Sequence, residues 1–400
     1  MGPALGTLQE LGLRRLVRRV NLEALTAVAS AKMETTSNSI RWKNELRLAN
    51  HCIDSNHPTC FIADIGSNHD GDLRRAQDLI FLAKEAGANV AKFQHFHAES
   101  IASDFGFRHL PPVRLLEGLT RPIYEIYQEA AMKRDWTPVL AETCRKAGIT
   151  FLTTPTSPEL VAEVDRYVPA FKVASGDLTW TQLIERMAAR HKPVLLSTGM
   201  ATLDEVQLAV EAVLRHHDEI VLLQCNVDYT VSADKFPFVH LNVLKMFQEL
   251  YPGMPLGLSD HTPGHAAVLG AIALGGRVIE KHFTDDNARP GADHAISMNP
   301  GAWKEMVQRA RELESALGSG KKALMENERE WVILQRRALR AKRSLAQGTV
   351  LQEEMFDALR PCPRDAIPPY ELPNLTGRTI KRSLQAGEHI TWRDLGEPRV

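Results

Sequence analysis

Cysteine is scarce and scattered in this 400-residue chain: Cys52, Cys60, Cys144, Cys225 and Cys362 are odd in number and form no CxxC pair. Neither a disulfide framework nor a zinc knuckle is supported, and a reduced, intracellular (cytoplasmic) chain is the simpler expectation. Charge of one sign is also missing. Lysine plus arginine number 48 against 49 aspartate plus glutamate, a formal net charge of −1. A polyanion binder carries a basic excess, so no nucleic-acid partner is expected. No stretch of about 18 apolar residues occurs, which excludes a membrane-spanning helix and gives no reason to expect a membrane partner. Glycine (25), proline (22) and the 44% hydrophobic share are ordinary, so collagen-like, low-complexity and wholly disordered classes fall away.

The first 32 residues differ from the rest. Arg14, Arg15, Arg18 and Arg19 stand among leucines and valines with only Glu10 and Glu23 as acids. Such a start resembles an organelle transit peptide; the plainer account is a translation start placed too far upstream, because Met33 would open a normal leader. Residues 1–54 are therefore read as an N-terminal extension outside the fold.

From residue 59 onward, short apolar runs alternate with longer amphipathic ones. The spacing predicts strands at Cys60–Ile65, Val90–Gln94, Thr150–Thr154, Phe171–Ser175, Val194–Thr198, Ile220–Gln224, Pro255–Leu258 and Arg277–Lys281. Each run is bounded by turn residues and followed by a 3.6-period segment, Phe238–Leu250 after the sixth, the pattern of βα units on a parallel sheet. Eight near-equal units within about 260 residues match an α/β fold of the (β/α)8 TIM-barrel type, assigned to residues 55–325. After a linker at 326–335, residues 336–400 read as a small β-rich domain of Pro/Gly-punctuated pieces. Within it, GTVLQEEMF and GEHITWRDL share a Gly–apolar–acidic pattern, too weak an echo to count as a repeat.

Barrel enzymes work at the C-terminal ends of their strands. Every predicted strand end here is polar: Asp64; Lys92 and Gln94; Thr153 and Thr154; Lys172, Ser175 and Asp177; Ser197 and Thr198; Asn226 leading to Tyr229; Ser259 to His261; Glu280 to His282, with Asp293 in the following loop. Singly, a serine there caps a helix and a lysine is solvated. Together, two interior lysines with several hydroxyls suit a small dianion such as a phosphate ester. His261 and His282, on adjacent strands, are nitrogen ligands that can hold Mn²⁺, Zn²⁺ or Fe²⁺ with water or a carboxylate such as Asp64.

These motifs also resemble a known family. Phe61-Ile62-Ala63-Asp64-Ile65-Gly66-Ser67-Asn68-His69-Asp70-Gly71 resembles the opening barrel motif of the sialic acid synthases. The resemblance continues through Ala91-Lys92-Phe93-Gln94, Phe171-Lys172-Val173-Ala174-Ser175-Gly176-Asp177, Gly257-Leu258-Ser259-Asp260-His261-Thr262, Ile279-Glu280-Lys281-His282 and Pro290-Gly291-Ala292-Asp293-His294. It covers roughly residues 55–398, the C-terminal part being similar to the antifreeze-like (SAF) domain of these synthases. It implies condensation of phosphoenolpyruvate with an N-acetylmannosamine-like aldose to a nine-carbon 2-keto acid and phosphate. It further implies that Lys92, Thr154, Lys172, Ser175, Asn226 and Ser259 hold phosphoenolpyruvate, and that Gln94, Asp177, Tyr229 and Asp293 face the sugar. His261 and His282 match metal ligands, with Mn²⁺ implied first and Mg²⁺ or Co²⁺ as alternatives. Arg360 matches an arginine sent into a partner's site, implying a domain-exchanged homodimer. Asp64 and Asp177 stand where many relatives carry glutamate, and the segment Gln224 to Thr230 lacks the usual Tyr-Pro.

The chemistry needs an electrophilic aldehyde, a role for the metal as Lewis acid. Water then attacks the former enol carbon and phosphate leaves. Asp64, Lys92 and Lys172 are the expected catalytic groups, Asp64 handling the water and the lysines balancing phosphate charge. The alternatives are a Schiff-base aldolase using Lys172 and a non-catalytic sugar-binding relative.

Overall fold

The computed structural model describes residues 42, 45–111 and 121–398; the arginine-rich segment 1–32 lies outside the described residues. The chain divides into two units at the Leu317–Gly318 bond.

The first unit is built on eight parallel strands: β3 (Cys60–Gly66), β4 (Val90–His95), β5 (Thr150–Pro155), β6 (Phe171–Val173), β7 (Val194–Ser197), β8 (Ile220–Cys225), β9 (Leu256–Asp260) and β10 (Val278–His282). Their order is β5-β4-β3-β10-β9-β8-β7-β6. The two end strands, β5 and β6, lie beside one another, so the sheet curls into a nearly closed α/β TIM-type barrel. All eight expected strands are present, with ends shifted by no more than two residues.

Strand alternation explains what the barrel places where. In β3, Phe61, Ala63 and Ile65 join the large core between sheet and helices. Cys60 and Ile62 point the other way, into an inner cluster with Val90, Leu152, Ala170, Leu195, Val221, Leu223 and Val278. Two residues further along each inward face, the side chains become polar: Asp64, Lys92, Thr154, Lys172, Ser197, Cys225 and Glu280. The lower half of the barrel is thus an apolar plug, and the upper half carries the chemistry.

The stretch read as an extension contributes to that plug. A hairpin of β1 (Leu46–Leu48) and β2 (His51–Ile53) inserts Leu46, Leu48 and Ile53 into the inner cluster. The barrel therefore begins before residue 55, a correction to the 1–54 assignment. The physical reason is that eight tapering strands leave the barrel floor open, and apolar side chains from outside the βα series fill it. Leu48 is 1% exposed. Leu48→Ala should cost about 2–5 kcal/mol, the range for a leucine truncated in a packed core, read as a lower urea midpoint. A shift under about 0.5 kcal/mol would show that the hairpin is dispensable.

Three differences from the sequence reading have local causes. The helix expected from Phe238 starts at Val243, because Pro237 sits in a 3-10 segment over Ala233–Phe238. Short helices at Ala98–Ile101, Asp104–Arg108 and Ile123–Ala130 fill the long loop after β4. The 326–335 linker is a 3-10 turn, Glu326–Glu328, followed by a helix, Arg329–Gln335, and it lies within the second unit.

That second unit pairs β11 (Ala338–Ala341) with β12 (Phe356–Leu359), and β13 (Arg378–Ile380) with β14 (Leu395–Pro398), all antiparallel. Leu339, Leu345, Leu351, Phe356, Ile367, Ile380, Leu384 and Ile390 form its own core. The faint sequence echo has a structural counterpart. Each copy yields a 3-10 turn (Glu353–Met355 and Trp392–Asp394) running directly into a strand, and Leu345 bridges Leu384 between them.

Candidate active site

The C-terminal mouth of the barrel holds a cavity of about 450 Å³. Register sets its floor: Asp64 lies directly across from Lys92 on one side and His282 on the other. Lys92 Nζ donates to Asp64 Oδ2 at 2.7 Å, and Gln94 Nε2 to the same oxygen at 3.2 Å. A bulge in β3 follows Asp64, ending at Gly66 with φ +53°. A Cβ at Gly66 would sit 3.0 Å from Asp293 Oδ2 and 3.3 Å from Gln94 Nε2. Only glycine lets these polar groups close over the strand end.

Glu280 is the hub on the opposite side. Its Oε1 is 3.3 Å from Lys172 Nζ, 3.9 Å from Lys92 Nζ, and accepts from Ser259 Oγ at 3.1 Å. The expected site set did not include it. The signal was available: alternation from His282 puts Glu280 on the inward face.

Electrostatics divide these groups. Burial works against ionisation of Asp64, but the Lys92 ammonium, then His282, outweigh it and hold the carboxyl below its ordinary range. Burial likewise opposes the Lys92 charge, yet Asp64 and Glu280 keep its pKa raised. Burial dominates at Lys172 and, with Lys92 adding to it against the pull of Glu280, lowers its pKa. Burial also pushes Asp177 up to about 6 and the Cys225 thiol up to about 11.

His261 and His282 face each other with ring centroids 5.4 Å apart. His261 Nδ1 is 3.0 Å from the Asn226 carbonyl, which only accepts, so that nitrogen carries the proton and Nε2 keeps its lone pair. Burial and then His282 push its pKa to about 4, so the ring is neutral at pH 7. His282 Nε2 is 3.9 Å from Asp64 Oδ2, and its Nδ1 is 3.7 Å from Asp293 Oδ2. Two imidazoles flanked by a carboxylate are a donor set suited to a borderline divalent cation. A tight cluster of three metal-binding side chains occurs, among the described residues, only at Cys52, Asp54 and His57. At the cavity the protein therefore offers two nitrogen donors with Asp64 nearby, rather than a closed cage.

Of the expected site residues, Asp64, Lys92, Gln94, Thr154, Lys172, Ser175, Asp177, Tyr229, Ser259, His261 and His282 all line the cavity. Ser175 Oγ accepts from the Gly199 amide at 3.1 Å, and the Tyr229 ring packs edge-on to His261 at 5.0 Å. Asn226 does not line the cavity; its carbonyl holds His261 from behind. Asp293 also stands off the wall, accepting from Ser67 Oγ at 3.1 Å beside His282. Arg360 belongs to the second unit, where it is exposed and its Nε donates to the Gln335 carbonyl at 2.7 Å.

A model of the NeuB family matches residues 79–322, more than half of the chain. The chain belongs to the NeuB family. A SAF-domain model matches residues 336–396. The NeuB-family chain is 35% identical over 354 residues to an uncharacterised protein of Methanocaldococcus jannaschii, covering 88% of this chain and 98% of that one. It is 33% identical over 350 residues to the N,N'-diacetyllegionaminic acid synthase of Legionella pneumophila, covering 84% and 95%. Among solved structures it resembles the N-acetylneuraminic acid (sialic acid) synthetase of Leptospira borgpetersenii in complex with citrate, at 29% identity and a TM-score of 0.63. That match covers 72% of this chain and 95% of that chain. The resemblance to the sialic acid synthases therefore holds in sequence and fold, and this NeuB-family chain is an enzyme of the synthase type. Among the described residues no helix is long and apolar enough to cross a membrane.

Proposed function

We propose that the cavity condenses phosphoenolpyruvate with an N-acetylmannosamine-like aldose, giving a nine-carbon 2-keto acid and phosphate. One observation carries this reading. Asp64 Oδ1, Thr154 Oγ1, Ser197 Oγ, Glu280 Oε2 and His282 Nδ1 are buried without a hydrogen-bond partner, and all five residues line this one cavity. Unpaired buried polar atoms are costly in a folded protein, and a polar ligand of matching shape relieves the cost.

Charge counting refines the reading. Lys92 and Lys172 are already matched by Asp64 and Glu280, so these four groups sum to zero. Phosphoenolpyruvate brings a carboxylate and a phosphate, and further positive charge must accompany it. The neutral His261 ring and the neighbouring His282 imidazole fit a divalent cation, Mn²⁺ in the first instance, that meets this need. When bound, such a cation supplies Lewis-acid polarisation of the aldehyde oxygen.

The protein's own groups divide the remaining work. Lys92 and Lys172 donate to the anionic groups of phosphoenolpyruvate, with Thr154, Ser175 and Ser259 adding hydroxyl contacts. Carbon–carbon bond formation leaves the former enol carbon electron-poor. Glu280, whose Oε1 lies 3.3 Å from Lys172 Nζ and 3.9 Å from Lys92 Nζ, is assigned the proton of the water that attacks that carbon, in place of Asp64. The hemiketal phosphate then collapses, and phosphate leaves with the bridging oxygen. Asp64, beside His282, orients the aldehyde end together with Gln94; Asp177 and Tyr229 face the sugar, and Asp293 supports His282. The five cysteines are free thiols, which suits a reducing cytoplasm.

The aldose is identified by incubating the enzyme with phosphoenolpyruvate, Mn²⁺ and a panel of 2-acetamido and 2,4-diacetamido hexoses. Phosphate release should follow one class, with a product mass equal to aldose plus pyruvate. Release with none of them removes the reading. The lowered pKa of Lys172 also suits a Schiff-base aldolase. Borohydride trapping of a pyruvate adduct on Lys172 would favour that second mechanism; no adduct is expected.

We further propose that Arg360 completes the site of a second chain in an exchanged homodimer. Arg360→Ala and His282→Ala should each be nearly inactive. Allowed to exchange subunits, they should regain about a quarter of wild-type activity, because half of the dimers are hybrid with one intact site each. Confirmed exchange without recovery would show that Arg360 does not act across an interface.

A further inference from the structure

Asp260 and Lys281 face away from the cavity, yet each is followed directly by one of the two candidate metal ligands. They are register partners on β9 and β10, so His261 and His282, the next residues along, also come side by side. Alternation turns Ser259, His261, Glu280 and His282 into the cavity and sends Asp260 and Lys281 under the helices. There Lys281 Nζ donates to Asp260 Oδ2 at 2.6 Å, each side chain only 1% exposed. The pair does more than neutralise itself. Asp260 accepts from the Thr262 amide at 3.0 Å and from Thr262 Oγ1 at 2.9 Å, and Lys281 also donates to the Thr262 carbonyl. Lys235 Nζ donates to the carbonyl of His261 itself at 2.9 Å and to that of Asp228 at 2.8 Å. The peptide groups around His261 are therefore tied to β10 and to the loop after β8 by buried charged groups.

We propose that the Asp260–Lys281 pair, with Lys235, is a positioning device that fixes the spacing of His261 and His282 for a divalent cation. The inference rests on the metal role assigned above. A buried ion pair is weak as a source of stability, and apolar replacements are often neutral or better. Its position accounts for it: Asp260, Lys281 and Lys235 tie the peptides that follow His261 to the residue just before His282, so His261 cannot drift from β10 without breaking a charged contact. Groups of this supporting kind typically change metal affinity by about 10- to 100-fold when removed.

The test reads Mn²⁺ binding by equilibrium dialysis, with no substrate and no turnover. Lys281→Met removes the charge, and Asp260→Asn with Lys281→Met removes the pair without stranding a charge. If Lys281→Met does not fold, the neutral double variant carries the test. Lys192→Met is the control; it breaks a partly buried pair with Asp165 (2.8 Å) outside the site. The expected result is a dissociation constant raised about 10- to 100-fold in the Lys281 variants and unchanged in Lys192→Met. Folded Lys281 variants that bind Mn²⁺ as wild type does would overturn the positioning role. Equal binding by wild type and His282→Ala would instead overturn the metal assignment on which it rests.

Discussion

Replacing Lys92 with methionine should lower kcat/KM for phosphoenolpyruvate by about 30- to 900-fold, which is roughly 2–4 kcal/mol of transition-state stabilisation, the scale of one preorganised electrostatic group. Methionine keeps much of the length and none of the charge. Two effects add. The substrate loses a charge-assisted donor, and Asp64, 3% exposed and 2.7 Å from the ammonium, loses its counter-charge. The double variant Lys92→Met with Asp64→Asn separates them. Relief of the stranded carboxylate should restore thermal stability but not kcat/KM. Wild-type kcat/KM in the single variant would remove Lys92 from the phosphoenolpyruvate site.

Loss of the cation should be larger still. In excess chelator, turnover should fall on the order of a thousandfold or more, the several kcal/mol that aldehyde polarisation supplies, and Mn²⁺ should restore it. His282→Ala should show the same loss without restoration at moderate Mn²⁺, while circular dichroism reports an intact barrel. His282 lies at the open end of β10, away from the apolar plug, so its truncation leaves the core packing untouched. Full activity in excess chelator would sink the metal role and leave Lys172 as the group to examine.

Much of this arrangement was legible in the chain. Each barrel strand is a short apolar run buried on both faces, and such runs stand out when amphipathic helices separate them. The C-terminal end of each run was equally readable, which is why most candidate residues meet in one cavity. What escaped had too little sequence to show a period. The β1–β2 hairpin has three-residue strands, and Leu46, Leu48 and Ile53 look like ordinary leader residues until the open barrel floor gives them a place. Glu280 escaped for a different reason. Alternation from His282 turns it inward, but its partners Lys172, Lys92 and Ser259 stand on three other strands, which the local sequence does not bring together. Asn226 could be placed near the site by sequence, but its use of a main-chain carbonyl on His261 leaves no trace in residue type.

The most direct test of the proposed reaction follows oxygen. Phosphoenolpyruvate is turned over in ¹⁸O-water with Mn²⁺ and the aldose, and the released phosphate is examined by ³¹P NMR for isotope shifts. Water attack on the former enol carbon, followed by collapse of the hemiketal phosphate, leaves the phosphate free of ¹⁸O, with release strictly dependent on the aldose. Phosphate carrying one ¹⁸O, or released equally fast without aldose, would mean hydrolysis at phosphorus and would contradict condensation in this cavity.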